Sequence, residues 1–437
     1  MAAGVQGLPT EILCAIFELS TIGLTTETSH IESRSLTRRR RSTYPIVSGP
    51  KPIALPSHKQ IFLHCITISH VCKRWRYIAI DLHDLWTRIH LCHNAFISKN
   101  YNDSQATETT SMFLSRSANL PLYLDITFAL NDPLALSWIQ KSRYEENIRR
   151  VLLPHIGRCL SLRLVSSDFI VTAVLDVFLE RNLSSSPNDI GYTPLSHLHL
   201  AKVAPSSRRG GPDSPDHGHG QPIYPPDLSI VAPHLKSLYI DDVQIAVFPR
   251  WCLETLFLNN TFISYQNHFH VFMKTRITML VLHRVTIPGG LPYVRRLIAH
   301  HASSVRSLCL SELRCGGPEA EHEDMYTLFF ALSLYRTLRE LELSGLSQDA
   351  MSGLSLMLSA NSALVFTDMQ KLILRSVKLE ATTVADLTTS FPALNELVLE
   401  RMDEGSDLVN NSWKGNPAIW PELTEIHVDD KMVKRIE

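Results

Sequence analysis

The sequence lacks most features that mark membrane, secreted or nucleic-acid-binding proteins. Its 437 residues contain no run of about 18 uninterrupted apolar residues, the length that a membrane-spanning helix requires. Lys and Arg total 42 against 43 Asp and Glu, so the basic surplus of a typical nucleic-acid binder is absent. Residues 1–19 contain Glu11 and Glu18 and have no positive flank, so we expect no signal peptide. We therefore expect a cytoplasmic or nuclear protein with no membrane contact and no nucleic-acid partner.

Motifs for catalysis and for metal binding are missing as well. The sequence has no Gly-x-Gly-x-x-Gly, no Gly-x4-Gly-Lys-Ser/Thr, no Gly-x-Ser-x-Gly and no His-Glu-x-x-His. Cys-x-x-Cys is absent and the eight cysteines show no pairing rhythm, so we expect reduced thiols. His64, Cys65, His70 and Cys72 are interpreted as helix residues with no metal between them, and His217 and His219 as ordinary polar residues of a loop. The sequence predicts no catalytic residue, no metal and no cofactor.

Two segments are predicted to be disordered. Residues 21–57 are rich in Ser, Thr, Arg and Pro without helical or strand period, and residues 204–226 contain ten Pro or Gly in 23 positions. A polar stretch, 98–109, is predicted to be a short linker. The arginine run 38–41 is open to three interpretations: a nuclear address, a nucleic-acid contact or an ordinary charged loop.

A pattern of the form apolar-x-x-Leu-x-Leu-x-x-apolar recurs along the chain at intervals of 18 to 40 residues. Its nine copies start at Leu195, Leu235, Leu253, Ile277, Val305, Leu338, Met369, Leu394 and Leu423, and a weaker copy starts at Cys159. Recurrence near 20–30 residues is typical of leucine-rich repeats. Each copy would place two leucines inward from one short strand of a parallel stack. The alternative is a generic α/β domain with leucine-rich parallel strands.

The connections between copies show helical spacing in places. Apolar residues share one helix face in 325–332 and again at Val384, Leu387 and Phe391, and Thr383 with Asp386 is predicted to cap the second of these helices. The ninth position, usually Asn or Cys in such repeats, is apolar here, as at Val243. We therefore predict an α/β fold in which an irregular solenoid of parallel strands and helical returns follows a small all-helical module.

That module precedes the repeats. A helix is predicted after Leu8-Pro9, with Leu8, Ile12 and Ile16 on one stripe and Leu13 and Phe17 on another. A second helix is predicted over 61–80, a short third over 82–87 and a strand over 89–91. So small a domain cannot bury all these apolar stripes in one core, so the surplus must meet the rest of the chain or a partner.

The same segments resemble the F-box family. Leu-Pro-Thr-Glu-Ile-Leu at 8–13, Val-Cys-Lys-Arg-Trp at 71–75 and Leu-Trp-Thr-Arg-Ile at 85–89 follow its order, over about 7–20 and 61–91. The departure is a loop of about forty residues between the first two helices. The resemblance implies three parts: an F-box-like module at 1–91, a linker and helix at 92–120, and a leucine-rich-repeat-like solenoid at 121–437.

The resemblance also implies a function. An F-box protein is a non-enzymatic subunit that binds a Skp-type adaptor, and through it a cullin, and presents a target protein for ubiquitin transfer. The implied adaptor contacts are Leu8, Pro9, Ile12, Ile16, Val71, Cys72, Trp75, Leu85 and Trp86. Outward strand positions would bind the target, namely Tyr239, Phe257, Glu342 and Glu400. The alternative is a protein-binding scaffold without a ubiquitin role, in which the helices cap the solenoid.

Overall fold

The computed structural model describes two compact units, divided between Leu235 and Lys236. The described residues are 8–17, 58–92, 95–96, 103–128, 137–184, 194–202, 228–243, 253–261, 277–287, 304–315, 337–360, 366–402, 409, 420, 423, 425–428 and 431–434. The two predicted disordered segments, the arginine run and the predicted helix over 325–332 lie outside them. No helix among the described residues is long and apolar enough to cross a membrane.

The first unit begins with helices and continues as alternating strands and helices. In chain order its elements are α1 (residues 10–17), α2 (His58–His70), α3 (Lys73–Asp81), a 3₁₀ turn (His83–Trp86), β1 (Arg88–Cys92), α4 (Asp103–Arg116), β2 (Leu122–Thr127), α5 (Trp138–Leu152), a 3₁₀ turn (Ile156–Arg158), β3 (Cys159–Ser166), α6 (Asp168–Ser184), β4 (His197–Lys202) and α7 (Leu228–Val231). Strands β1 to β4 pair in parallel in that order, with the helices as connections.

Two predicted boundaries in this unit are wrong. The helix predicted over 61–80 is two helices, because Cys72 leaves the helical conformation (φ −157°, ψ 172°) and caps α3 by accepting the Trp75 N–H at 3.4 Å. Residues 103–109, predicted to be linker, form the first half of α4. In addition, the repeat pattern did not predict β2, because Pro121 occupies the first position, where the nine copies have Leu, Ile, Val or Met.

The second unit is built on parallel strands. Its elements are β5 (Ser237–Asp241), β6 (Thr255–Asn259), β7 (Met279–His283), β8 (Thr286–Ile287), β9 (Ser307–Ser311), β10 (Arg314–Cys315), β11 (Glu340–Ser344), α8 (Gln348–Ala360), β12 (Lys371–Arg375), α9 (Ala381–Ser390), β13 (Glu396–Glu400), β14 (Glu425–Val428) and β15 (Lys431–Lys434). Strands β5, β6, β7, β9, β11, β12, β13 and β14 pair in parallel in that order, and β15 pairs antiparallel with β14. The short strands β8 and β10 pair separately.

The repeat template places the strands correctly. A strand begins two residues after each of the nine starting positions, and the fourth and sixth residues of each copy are buried, except that Val428 in the last copy is half-buried. In α9, Val384, Leu387 and Phe391 are buried on one face as predicted. The predicted cap is wrong, because α9 starts at Ala381 after Glu380, and Thr383 lies buried within its first turn.

A left-handed residue follows each strand of the second unit from β5 to β12, leaving aside the two-residue strands. Its φ is 47° to 58°, and its N–H donates to the carbonyl of the last residue of the next strand at 2.9 to 3.0 Å. These residues are Asp242, Asn260, Arg284, Glu312, Gly345 and Ser376. The turn is therefore tied to the next repeat through the backbone, which leaves the ninth residue free to be apolar and buried, as at Val243 and Val377.

Candidate functional site

Helix α1 presents two different apolar faces. Leu13 and Phe17 are buried, whereas Ile12 and Ile16 are 47% and 41% exposed. Residues four apart lie on the same side of a helix, so each pair forms its own stripe. The two stripes predicted from the sequence are thus an inner face and an outer face.

Helix α1 is held against α3 at both of its ends. At its start, Arg74 Nη2 donates to the Leu8 carbonyl at 2.6 Å. At its end, the Phe17 ring lies 5.0 Å from the Trp75 ring. Of the predicted adaptor contacts here, Pro9 is exposed and Leu8 and Trp75 are half-buried. Trp75 therefore packs within the module and is only partly available to a partner.

The corner between α2 and α3 adds a further exposed apolar side chain. Val71 is 57% exposed, and Cys72 beside it is half-buried because it caps α3. Together, Ile12, Ile16 and Val71 are called the exposed apolar set below. A shallow groove of about 410 Å³ lies between the start of α1 and α3, lined by Thr10, Lys73, Arg74, Tyr77 and Ile78. Sequence analysis missed the exposed Tyr77, because it falls among basic residues in α3.

The opposite side of the module is closed by the chain itself, which corrects two predicted adaptor contacts. Leu85 and Trp86 are 3% and 0% exposed, so neither can meet a partner. Trp86 donates its indole N–H to the Ala79 carbonyl at 2.7 Å, and its ring stacks on Phe113 of α4 at 5.7 Å. The Arg116 guanidinium lies 4.7 Å above the same ring. Helix α4 therefore covers the side that the sequence left unassigned.

Cys65 of α2 has a packing role. Cys65 is fully buried and its Sγ lies 3.2 Å from the Leu85 carbonyl, and burial raises the pKa of this thiol to about 12. A thiol that stays protonated is a poor metal ligand. Among the described residues, no group of three His, Cys, Asp or Glu could hold a metal ion.

A row of charged side chains crosses the strands of the first unit, and sequence analysis missed it. His90, Asp125, Arg163 and His199 occupy matching positions on β1 to β4. Arg163 Nη1 lies 3.0 and 3.2 Å from the two oxygens of buried Asp125, and His90 Nδ1 lies 3.2 Å from Oδ2. Burial, followed by the charge of Arg163, lowers the pKa of His199 to about 4. The ion pair of Asp125 with Arg163 and its contact with His90 therefore link β1, β2 and β3 across the sheet.

The outward positions of the second unit contain the predicted target contacts. Tyr239 and Phe257 are cross-strand neighbours on β5 and β6, both half-buried, with ring centroids 5.7 Å apart. The sequence predicted their shared face correctly from strand alternation. Their partial exposure leaves aromatic surface available for contact.

Glu342 requires a correction, because it is not a solvent-facing side chain. It is 2% exposed and paired with Arg375 on the next strand, β12. Arg375 Nε also lies 2.8 Å from Glu400 Oε2 on β13, and the Glu400 side chain is 24% exposed. The sequence could not show this, because the guanidinium that covers Glu342 comes from a residue 33 positions along the chain.

Burial, opposed by Arg375, raises the pKa of Glu342 to about 7. Its cross-strand neighbour Cys309 also has a raised thiol pKa, for which burial is the main cause and the charge of Glu342 adds. The centre of this face therefore contains a buried carboxyl group, Glu342, whose charged form is disfavoured by its burial.

No protein-family model matches the chain, and no curated protein matches it. Its function is therefore inferred only from these surfaces and from the resemblance of part of its sequence to the F-box family.

Proposed function

We propose that this protein is the substrate-recognition subunit of a Skp–cullin–F-box ubiquitin ligase. In this proposal the helical module docks a Skp-type adaptor, and the parallel-strand unit holds the target protein. The resemblance of residues 8–13, 71–75 and 85–89 to the F-box motif suggests the adaptor. The observation that carries the proposal is the exposed apolar set, in which three branched side chains remain 41–57% exposed.

The exposed apolar set suits a binding surface better than a folding core. Ile12 and Ile16 lie on one stripe of α1, and exposed apolar side chains that lie together mark interaction surfaces. The inner face of the module is occupied by Leu13, Phe17 and Trp86, so the outer face contributes little to its stability. A partner that covered Ile12, Ile16 and Val71 would gain roughly 1 kcal/mol for each side chain.

The proposed mechanism needs no catalytic side chain in this protein. A subunit that binds both the adaptor and the target raises the effective concentration of the target lysine near the ubiquitin-carrying subunit. The rate of transfer then depends on how long both partners remain bound.

The test is binding to a purified Skp-type adaptor, with two matched Ile→Glu variants. Ile12→Glu is expected to abolish capture of the adaptor, because it buries a charge in the interface. Ile139→Glu on α5 makes the same change at a site that is 52% exposed and outside the proposed interface, and should leave capture unchanged. Failure of the unmodified protein to capture the adaptor, or equal effects of the two variants, would refute the proposal.

A scaffold without a ubiquitin role is the second candidate, and one observation favours it. Trp86 packs on Phe113 and under Arg116, so part of the module seals against the chain that follows. A scaffold of this kind would bind its target through the second unit and ignore the adaptor. Target binding that is unaffected by Ile12→Glu, together with no adaptor capture, would support it.

A further inference from the structure

Strands β9, β11, β12 and β13 carry an excess of acid on their outward positions. Their twelve outward residues are the first, third and fifth of each strand, and the ladder register sets them side by side. Four of the twelve are acidic and two are basic: Glu340, Glu342, Glu396 and Glu400, against Lys371 and Arg375. This set of twelve is called the acidic patch below.

The two cations of the acidic patch are already engaged. Lys371 Nζ lies 2.7 Å from Glu396 Oε1. Arg375 is shared between Glu342 and Glu400. Glu340 accepts a hydrogen bond from the Ser307 hydroxyl at 3.0 Å, which supplies no charge. With all four carboxylates ionised, the patch is therefore two positive charges short of neutrality.

Buried polar atoms in the same patch lack hydrogen-bond partners among the described residues. They are Ser311 Oγ and Ser344 Oγ, and both residues are 0% exposed. Ser311 and Ser344 are cross-strand neighbours and face outward as Glu342 does. Unsatisfied buried acceptors are rare, because each costs about 1–3 kcal/mol. The outward face therefore has incompletely paired polar groups beneath it and excess carboxylate above them, and excess carboxylate fits a ligand that brings positive charge.

We propose that the acidic patch binds an arginine or lysine side chain on an exposed segment of a partner protein. This inference deepens the proposed function and rests on it, since the partner would be the target that the ligase subunit presents. The cation would contact Glu400, which is half-buried beside Arg375, and Glu340 at the other end of the ladder would add negative charge to the patch without contacting the same cation. Glu342 acts from beneath as a positioning residue, because it holds the guanidinium of Arg375 in place.

Binding of the cation is expected to release a proton from Glu342. Four groups face it: Cys309 on β9, Glu340 on its own strand, Arg375 on β12 and Glu400 on β13. Burial is the main cause that raises its pKa to about 7, and Arg375 opposes it. An added positive charge nearby lowers this pKa, so the bound state holds less of the proton. Affinity should therefore rise between pH 6 and pH 8.

The test uses the full chain and a labelled Gly-Ser peptide that carries two adjacent arginines. Glu400→Gln is expected to weaken binding about tenfold, and Glu340→Gln, which removes a more distant charge, is expected to weaken it by less. The control, Glu254→Gln, removes an equal charge from a 58% exposed side chain in the same unit and should change binding less than twofold. Calorimetry in two buffers of different ionisation enthalpy should detect proton release, and Glu342→Gln should abolish it.

Several results would overturn the inference. The inference fails if the arginine peptide does not bind, if Glu254→Gln weakens binding as much as the patch variants do, or if binding releases no proton. It also fails if spermine competes at the same concentration as the peptide, because that would indicate a site for free polyamines. Melting temperatures of the variants must match the unmodified protein within a few degrees, and the two surface variants provide independent measurements. Adaptor capture is measured on the same preparations. Peptide binding without capture would refute the ligase role alone, and capture without peptide binding would refute the acidic patch alone.

Discussion

Alanine at Leu13 and alanine at Ile12 should have opposite consequences, although the two residues are neighbours in α1. Leu13 is fully buried, and replacement of a buried leucine by alanine costs about 2–5 kcal/mol. We expect Leu13→Ala to lower the unfolding midpoint of the first unit markedly. Ile12 is 47% exposed, so Ile12→Ala should change stability by less than about 1 kcal/mol.

The expected effect of Ile12→Ala on adaptor binding follows from the same exposure. The change removes three carbons, which are worth about 2.4 kcal/mol when fully buried, at about 0.8 kcal/mol each. A partner can bury only the 47% of the Ile12 side chain that is exposed, so the substitution loses roughly 1.1 kcal/mol of binding free energy. This loss raises the dissociation constant about sixfold.

The assay pairs denaturant unfolding with calorimetric binding to the Skp-type adaptor for both variants. Leu13→Ala should bind with nearly normal affinity under conditions in which it remains folded, because its side chain does not reach the surface. The reasoning fails if Ile12→Ala destabilises the module as much as Leu13→Ala, or if it binds the adaptor with unchanged affinity.

Four other predictions concern the strands and their turns. The stability of the first unit should rise with pH between about 4 and 6.5, because burial lowers the pKa of His199 to about 4 and its unfolded form takes up the proton first. The second unit should instead lose stability as the pH rises from about 4.5 to 7, because burial raises the pKa of Glu342 to about 7 and the folded state holds that proton. Amide hydrogen exchange, corrected for its intrinsic pH dependence, measures the stability of each unit separately. Arg163→Leu should cost about 3–5 kcal/mol, because it removes the guanidinium that neutralises buried Asp125 and leaves His90 and Thr127 beside the carboxylate. The double variant Arg163→Leu with Asp125→Leu should recover most of this loss, and additive costs in a denaturant cycle would contradict the prediction. Gly345→Val should destabilise the second unit by at least about 1–2 kcal/mol, because φ is +58° and a Cβ would lie 3.0 Å from Glu312 Cγ; an unchanged thermal midpoint would show that the turn relaxes.

The strands were predictable because their pattern is local. A Leu-x-Leu pair fixes which side chains share a face, and the next strand in the stack repeats the pattern, so each start position leads to a strand two residues later. The inner and outer stripes of α1 were predictable for the same reason, since helical geometry separates Leu13 from Ile12 whatever surrounds them. Cys72 was harder, because nothing in an apolar helical pattern marks a cysteine as the residue that breaks it.

The candidate site shows where local pattern stops. From the sequence, Trp86 and Val71 were equally plausible contacts for an adaptor. Helix α4, beginning 17 residues after Trp86, covers the first and leaves the second 57% exposed. The F-box resemblance stays a prediction, as do the adaptor and the target.

The sequence by itself determined the periods of this chain: where strands start, which side chains share a face, and that its helices carry more apolar surface than a small core can use. Only the tertiary structure decided which of those faces are covered, because coverage depends on residues distant in the chain. Arg375 turns Glu342 from an expected surface contact into a buried acid, and Phe113 turns Trp86 into core. Periodicity is a property of backbone geometry, whereas burial is a property of what packs against it.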